Sequence, residues 1–164
     1  ASYSGDGGPA TSAKFYYPVG IFLATTGILF VTDYANNRVR TIDTDMDIVS
    51  TFAGTGVAEF SGDGGNALNA AFSSPTSVWG NSLGVIYICD LYNYRIRLVQ
   101  TNGIIITFAG TGYENYNGEN LPATSANMLP NYVRGDTLGN IYISDANSCT
   151  LRFISAVTSV INTL

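Results

Sequence analysis

Hydrophobic residues in this chain fall into short runs separated by turn residues, and the pattern recurs about every 55 residues. In the first copy the runs predict strands at 19–24, 28–32, 39–42 and 48–52. Gly, Asn and Asp lie between these runs at the short spacings of β-hairpins. Helical periodicity is missing, and only 67–72 and 125–129 are candidates for a helical turn. The pattern therefore predicts units of four antiparallel strands.

The second run of each unit is apolar at almost every position, as in 28–31 and 85–88. A strand of this kind is buried on both faces. A propeller blade stacked between two neighbouring blades meets that condition, whereas a blade at the end of a stack does not. The expected fold is therefore all-β, a β-propeller built of four-stranded blades.

The unit occurs three times, and we expect blade 1 at about 1–57, blade 2 at about 58–113 and blade 3 at about 114–164. Each unit has a Gly-rich linker, a proline, a strand that ends in Asp and an Arg-containing strand. The linkers read Ser-Gly-Asp-Gly-Gly at 4–8 and 61–65, and Ala-Gly-Thr-Gly at 53–56 and 109–112. The third copy departs from the pattern, with Asn117-Gly118-Glu119-Asn120 in its linker and Ser148 and Thr150 in place of Asn and Arg.

These motifs resemble the NHL repeat family. The features that carry the resemblance are the proline, the Ile-Tyr-Ile-x-Asp strand, the x-x-Asn-x-Arg-Ile/Val-Arg segment and the two linkers, which are similar to those of secreted and surface proteins. The resemblance implies a β-propeller, commonly of about six blades, that presents binding surfaces on its faces. It also implies an extracellular or cell-surface location.

Repeated polar residues at the strand ends form the candidate site. They are Asp33, Asn36, Arg38, Asp90, Asn93, Arg95 and Asp145. They could form a polar ring that faces a ligand, or they could cap turns, with Asp accepting from backbone N–H groups of the next turn and Arg pairing with a carboxylate. Because the residues recur in each repeat, the architectural interpretation is favoured.

The Ser-Gly-Asp-Gly-Gly segments also invite comparison with calcium loops, since carboxylate and carbonyl oxygens suit a hard cation. Each loop offers one acid, whereas a good calcium site needs about six to eight oxygens. A tight linker between blades is therefore the favoured interpretation. We expect no cofactor, and calcium is the one candidate.

The favoured function is a non-catalytic structural or interaction scaffold. The chain has no histidine, which removes the commonest general base and metal ligand. One alternative is a calcium-dependent, lactonase-like propeller enzyme, in which Asp33, Asp90 and Asp145 would have to supply a central carboxylate cluster. Another is a propeller that binds glycan or peptide through tyrosines in linkers and turns. These tyrosines are Tyr16, Tyr17, Tyr92, Tyr94, Tyr113 and Tyr116.

Charge and hydropathy exclude some partners. The net charge is −5, so we expect no nucleic-acid partner, because few cations are available to displace counterions from phosphates. No apolar run reaches the roughly 18 residues of a membrane span.

Cys89 and Cys149 lie at non-equivalent positions in the repeats. Two small buried or half-buried residues are the favoured interpretation, and a disulfide stays possible. The many Ser and Thr residues leave O-glycosylation possible.

Three blades do not close a propeller, which needs roughly four to eight. Two apolar blade faces would be left bare, and such faces mark an interface. Head-to-tail self-association would give a closed ring or a filament. The alternative is three blades of a longer chain, an expectation favoured by the missing initiator Met at Ala1 and the missing linker after Leu164.

Overall fold

The computed structural model describes residues 3–164, and it shows an all-β protein of three successive antiparallel sheets. We call the sheets blades 1, 2 and 3. Blade 1 consists of β1 (Pro18–Leu23), β2 (Ile28–Asp33), β3 (Arg38–Asp43) and β4 (Ile48–Ala53). Blade 2 consists of β5 (Pro75–Gly80), β6 (Ile86–Asp90), β7 (Arg95–Val99) and β8 (Ile105–Ala109). Blade 3 consists of β10 (Pro130–Gly135), β11 (Ile141–Asp145), β12 (Thr150–Ile154) and β13 (Val160–Thr163), with β9 (Leu121–Pro122) added beside β13.

Within each blade the four main strands pair in the order of the chain, which confirms the four-stranded meander expected from the hydrophobic runs, and β9 is an additional edge strand. The helical turns are shorter than predicted. The first is a 3₁₀ turn at Ala67–Asn69, and the second lies at Ala123–Ser125 rather than at 125–129. Ala126, directly after the second turn, is extended, and Ala126 and Met128 are packed into the core between blades 2 and 3.

The hydrophobic core lies between the blades. One cluster, which includes Phe30, Phe72 and Ile88, fills the space between blades 1 and 2. The other, which includes Trp79 and Ile143, fills the space between blades 2 and 3. A sheet covered on both faces accounts for the continuous apolar runs in the sequence.

Burial differs between the middle blade and the end blades. Every residue of β5 and β6 is buried, whereas β1 and β10 are exposed at several positions. On the free face of blade 1, Ile21 is 64% and Leu23 is 60% exposed. On the free face of blade 3, Tyr132 is 53% exposed. Blade 1 thus has the bare apolar end face that the sequence predicts, whereas the free face of blade 3 carries Tyr132 together with the exposed Arg134.

The blades pack by inserting an aromatic ring over a glycine. Phe22 of blade 1 lies over Gly80 of blade 2, where an added Cβ would come within 2.6 Å of the ring. Trp79 of blade 2 lies over Gly135 of blade 3 in the same way. No helix within residues 3–164 has the length and apolar character needed to cross a membrane.

Candidate functional site

The three repeated aspartates end the second strand of their blades and are buried there. Asp33 and Asp90 are fully buried, and Asp145 is 2% exposed. Each accepts a hydrogen bond from a backbone N–H of the linker that precedes its own blade, rather than from the next turn as expected. The donors are Tyr16 at 2.7 Å, Ser73 at 2.8 Å and Leu129 at 3.0 Å. The aspartates therefore fasten the incoming linker to the blade.

The repeated asparagines complete the same corner. The Asn36 side chain donates to Asp33 at 2.9 Å, and the Asn93 side chain donates to Asp90 at 2.8 Å. Both lie in a short 3₁₀ turn that ends in a left-handed residue. In blade 3 the position is taken by Ser148, whose hydroxyl lies 2.6 Å from that of Thr150.

Arg38 and Arg95 bind the outgoing linker and not a carboxylate, which differs from the expectation. Arg38 donates to the Gly54 carbonyl at 2.7 Å and to the Thr55 carbonyl at 2.5 Å. Arg95 donates to the Thr111 carbonyl at 2.7 Å. The aspartates are not available to them, because linker N–H groups, the asparagines and a second arginine already occupy the carboxylate oxygens.

That second arginine is what the sequence reasoning missed. Arg40, Arg97 and Arg152 are fully buried, and each lies beside the aspartate of its own blade. Arg97 is the clearest case, with one nitrogen 3.3 Å from Asp90 and another 2.7 Å from Asp63. The available signal was the repeated Arg-x-Arg segment, of which only the first arginine was singled out.

The aspartate of the Ser-Gly-Asp-Gly-Gly linker is the other half of this ion pair. Asp6 lies 2.6 Å from Arg40 and accepts from the Thr51 hydroxyl at 2.6 Å. Asp63 accepts from the Thr107 hydroxyl at 2.7 Å. These linker carboxylates are bound by protein donors, which favours the linker interpretation over a calcium loop.

Blade 3 keeps this arrangement in a modified form. Glu119 accepts from the Thr163 backbone N–H at 2.6 Å and from the Thr163 hydroxyl at 2.5 Å, as the linker aspartates do from their threonines. Arg152 donates to the Gly118 carbonyl at 3.3 Å. Across residues 3–164 no three His, Cys, Asp or Glu side chains converge in a group that could hold a metal ion.

An aromatic side chain covers each arginine from the linker side. The Phe60 ring centre lies 3.8 Å from the Arg95 guanidinium carbon and 4.8 Å from that of Arg97. Tyr3 and Tyr116 occupy the same place in blades 1 and 3. We call each such group a clamp. The three clamps are Tyr3, Asp6, Asp33, Arg40 and Thr51; Phe60, Asp63, Asp90, Arg97 and Thr107; and Tyr116, Glu119, Asp145, Arg152 and Thr163.

Burial and hydrogen bonding set the charge state of the clamp carboxylates. Burial raises the pKa of Asp90 to about 6, against the opposing effects of hydrogen bonds from Asn93, Ser73 and Arg97. For Asp6, burial also raises the pKa, but donors that include Thr51 outweigh it, and the net pKa is lowered. The clamp carboxylates are bound by protein donors, although the Nε atoms of Arg40, Arg97 and Arg152 are buried without a hydrogen-bond partner. The geometry of the clamps suits holding linkers in place.

The cysteines are both free. Cys89 is buried, and burial together with the neighbouring Asp90 charge raises the pKa of its thiol well above the ordinary value. Cys149 is exposed and takes the left-handed position after the turn of blade 3, with φ of 53°. The predicted burial therefore holds for the first cysteine only.

Several tyrosines and two clefts are accessible to solvent and could contact a ligand. Tyr17, Tyr92, Tyr113 and Tyr116 are exposed, whereas Tyr87 is buried in a blade. Two clefts of about 410 Å³ and 390 Å³ lie at the two blade junctions, the first lined by the β1–β2 and β5–β6 turns and the second by the β5–β6 and β10–β11 turns. Because the strands are antiparallel, these clefts lie at the opposite end of the strands from the clamps.

Sequence comparison gives weakly similar relatives, among them NHL repeat-containing proteins. The chain is 26% identical over 161 residues to NHL repeat-containing protein 2 of Bos taurus, which covers 92% of this chain and 22% of that protein. It is 30% identical over 156 residues to the chloroplastic protein SUPPRESSOR OF QUENCHING 1 of Arabidopsis thaliana, which covers 92% of this chain and 15% of that protein. The chain thus spans about a fifth of the length of these relatives. No family model matches it.

Structural comparison gives propeller-type proteins. A gluconolactonase of Xanthomonas campestris superposes with a TM-score of 0.65 at 12% identity, covering 92% of this chain and 48% of that chain. An auxiliary nutrient binding protein of Bacteroides ovatus gives a TM-score of 0.65 at 16% identity, covering 88% of this chain and 37% of that chain. A streptogramin B lyase gives 0.63 at 16% identity, covering 93% and 41%. At these identities the likeness shows the fold alone.

The repeated linker and strand motifs, the stacked four-stranded sheets and the NHL-containing relatives agree with one another. The chain is therefore similar to NHL repeat-containing proteins, and it forms three blades of a β-propeller.

Proposed function

We propose that this chain is a non-catalytic structural and interaction scaffold, in which NHL-type blades are joined through their end faces to further blades. Solved structures of this fold include enzymes and a nutrient-binding protein, so the fold alone does not select a function. The proposal depends instead on where the repeated polar groups point.

The observation that carries the proposal is that the repeated carboxylates are occupied by the protein itself. Asp33, Asp90 and Asp145 are buried and bound by linker N–H groups and arginines. A lactonase-like calcium centre would need carboxylate and carbonyl oxygens turned toward an open site. The geometry of the clamps instead serves to fix each linker to its blade, which is a structural role.

Calcium titration of the intact chain by calorimetry, with a lactone hydrolysis assay on the same sample, tests this proposal. We expect no saturable heat and no hydrolysis above the buffer rate. Saturable binding that is lost in Asp145→Asn but kept in Asp45→Asn, an exposed aspartate outside the clamps, would overturn the proposal. Circular dichroism of both variants shows whether the loss reflects unfolding.

A second candidate function, recognition of a glycan or peptide, is favoured by the exposed tyrosines. Tyr16 and Tyr17 lie with ring centres 4.9 Å apart, and Tyr17 and Tyr92 are exposed. Tyrosine offers a large contact area at low entropy cost. We expect Tyr17→Ala to abolish any such binding in a glycan or peptide array, whereas Leu83→Ala, in an exposed turn at the other end of the strands, would not. The extracellular or cell-surface location stays a prediction.

A further inference from the structure

The two internal junctions follow one packing rule. Leu23, Gly80 and Gly135 are equivalent, because each is the last residue of the first strand of its blade and pairs with the residue four positions before the aspartate that ends the second strand. At both internal junctions this position is glycine, and it receives the ring of Phe22 or Trp79 from the preceding blade. A side chain at the glycine would collide with that ring.

A second contact of the junction also needs a small residue. A Cβ on Gly20 would come within 2.5 Å of the Thr76 carbonyl oxygen and 2.9 Å of the Ser77 Cα, so blade 1 approaches the backbone of blade 2 closely at this point. Ser77, the equivalent residue of blade 2, accepts from the Val133 N–H of blade 3 at 3.3 Å. The forward face of a blade therefore presents glycine or serine here.

The end faces break the rule at each of these positions. On blade 1, Leu23 stands where the other blades have glycine. On blade 3, Tyr132 stands at the position of Gly20 and Ser77, and Arg134 stands at the position of Phe22 and Trp79. All of these end-face side chains are exposed.

Head-to-tail stacking of two copies would bring these mismatched residues together. Tyr132 would run into the first-strand backbone of the second copy, where the internal junctions leave room for glycine or serine. Arg134 would be buried against Leu23, and burying a guanidinium on an apolar surface is costly without a carboxylate partner. The same register that forms the internal junctions therefore cannot form this one.

We propose that the end faces of this chain do not mate with each other, and that the free face of blade 1 takes a propeller blade of different sequence, with a small side chain at the position of Phe22 and Trp79. This inference rests on the proposed function, because it names the partner of the free face. Continuity with the internal junctions supports it, since Ile21 and Leu23 lie on the face that corresponds to the one blade 2 packs against blade 1, and Leu23 fills the glycine site there.

The first test measures the mass of the intact chain by sedimentation equilibrium. The natural chain is expected to give no two-chain particle with closed-ring dimensions. The variant Leu23→Gly, Tyr132→Ser, Arg134→Trp restores the internal pattern at both ends. It is expected to dimerise at a protein concentration at least tenfold below the highest concentration at which the natural chain is measured. A natural chain that already forms a two-chain ring, with no gain in the triple variant, would overturn the proposal.

A matched control distinguishes complementary packing of the end faces from nonspecific hydrophobic association. Leu83→Gly, Leu138→Trp makes the same kinds of change in exposed turns away from the end faces, so it should leave the mass unchanged. Dimerisation of the control to the same degree as the triple variant would also count against the proposal. Mass does not depend on calcium binding or hydrolysis, so failure here is distinguishable from failure of the scaffold proposal.

The second test supplies the proposed partner. A copy of residues 58–113 is added ahead of the chain, either unchanged or with Trp79→Ala in the added copy alone. The alanine form is expected to melt at the higher temperature, because its small side chain leaves room for Leu23, and Leu23→Gly in blade 1 should reverse the order. A higher melting temperature for the tryptophan form against Leu23 would overturn the proposal.

Discussion

Arg97 lies fully buried between Asp90 and Asp63, one carboxylate from the strand and one from the linker. A buried ion pair of this kind adds little stability over an apolar replacement, but removing one partner leaves an uncompensated charge. The main role of Arg97 is therefore to position the linker, since it holds the linker against one strand end.

Replacement of this arginine tests that view. Arg97→Ala is expected to lower the free energy of unfolding by about 3–5 kcal/mol, because Asp90 would be left buried without its cation. Urea unfolding measures the loss. Arg134→Ala, which removes an exposed arginine, is expected to stay within about 0.5 kcal/mol of the natural chain. Equal losses in the two variants would contradict the buried-charge argument.

The raised pKa of Asp90 predicts a pH dependence of stability. The folded-state value of about 6 lies above the ordinary value of 3.8, so the folded protein binds a proton here more tightly than the unfolded chain does. This group's contribution to stability is therefore greatest below about pH 4 and declines as the pH rises to about 6.

Urea unfolding between pH 4 and pH 7 checks this prediction in the natural chain and in Asp90→Asn. The decline between pH 4 and pH 6 is expected to be shallower in the variant, because asparagine does not titrate. Parallel curves for the two proteins would show that Asp90 titrates as it does in the unfolded chain.

The two cysteines predict a simple count of reactive thiols. Cys149 is exposed, whereas Cys89 is buried beside Asp90 and its thiol pKa is raised, so its thiolate is scarce. A thiol reagent at pH 8 is expected to modify one cysteine in the native protein and both in urea. Modification of both under native conditions would mean that the interior of blade 2 opens readily.

At the scale of strands and linkers, the sequence was most informative where side-chain periodicity acts locally. The runs at 28–32 and 48–52 predicted strands that differ from the observed ones by a single residue at one end. Asp33 was recognised as a strand end for the same reason. Local pattern determines where a strand lies because a short β-rich run bounded by turn residues is a property of neighbouring residues in the sequence.

The partners of the arginines could not be predicted in this way. Arg38 and Arg40 are two residues apart on one strand, yet the first binds linker carbonyls and the second binds carboxylates. The choice depends on where the linker crosses the strand end, which is a tertiary property. The equivalence of Leu23 with Gly80 is visible in the sequence, but its meaning comes from the ring of the preceding blade.

The Ala-Gly-Thr-Gly linker supplies a test at this scale. Gly112 has a φ of 99°, and a Cβ there would come within 2.5 Å of the Arg95 guanidinium. Gly103 has a φ of 81° but open space around it. Both Gly→Ala variants should therefore carry the backbone cost of about 1–2 kcal/mol. Gly112→Ala should lose about a further 1 kcal/mol, because Arg95 must leave the Thr111 carbonyl. Equal melting temperatures would contradict this.

At the scale of the whole molecule, the middle blade differs from its neighbours in burial rather than in chemistry. Every residue of β5 and β6 is buried, whereas the matching strands of blades 1 and 3 are partly exposed. In a stack of repeats, stability is approximately a sum of each unit and its interfaces. Blade 2 has two interfaces here and each end blade has one, so local opening should begin at the ends.

Each clamp is complete within one repeat: in blade 2 its members run from Phe60 to Thr107. A gene segment that encodes one repeat can therefore be duplicated or deleted without leaving a buried charged side chain unpaired. The condition is that the break falls in the linker between Gly56 and Phe60 or in its equivalents. The contacts that cross from blade to blade are mostly apolar and change by single substitutions at a few positions. Lineages of such proteins could then vary in blade number while the interior of each blade stays the same, and the order of the blades would be recorded in the aromatic and glycine residues at their junctions.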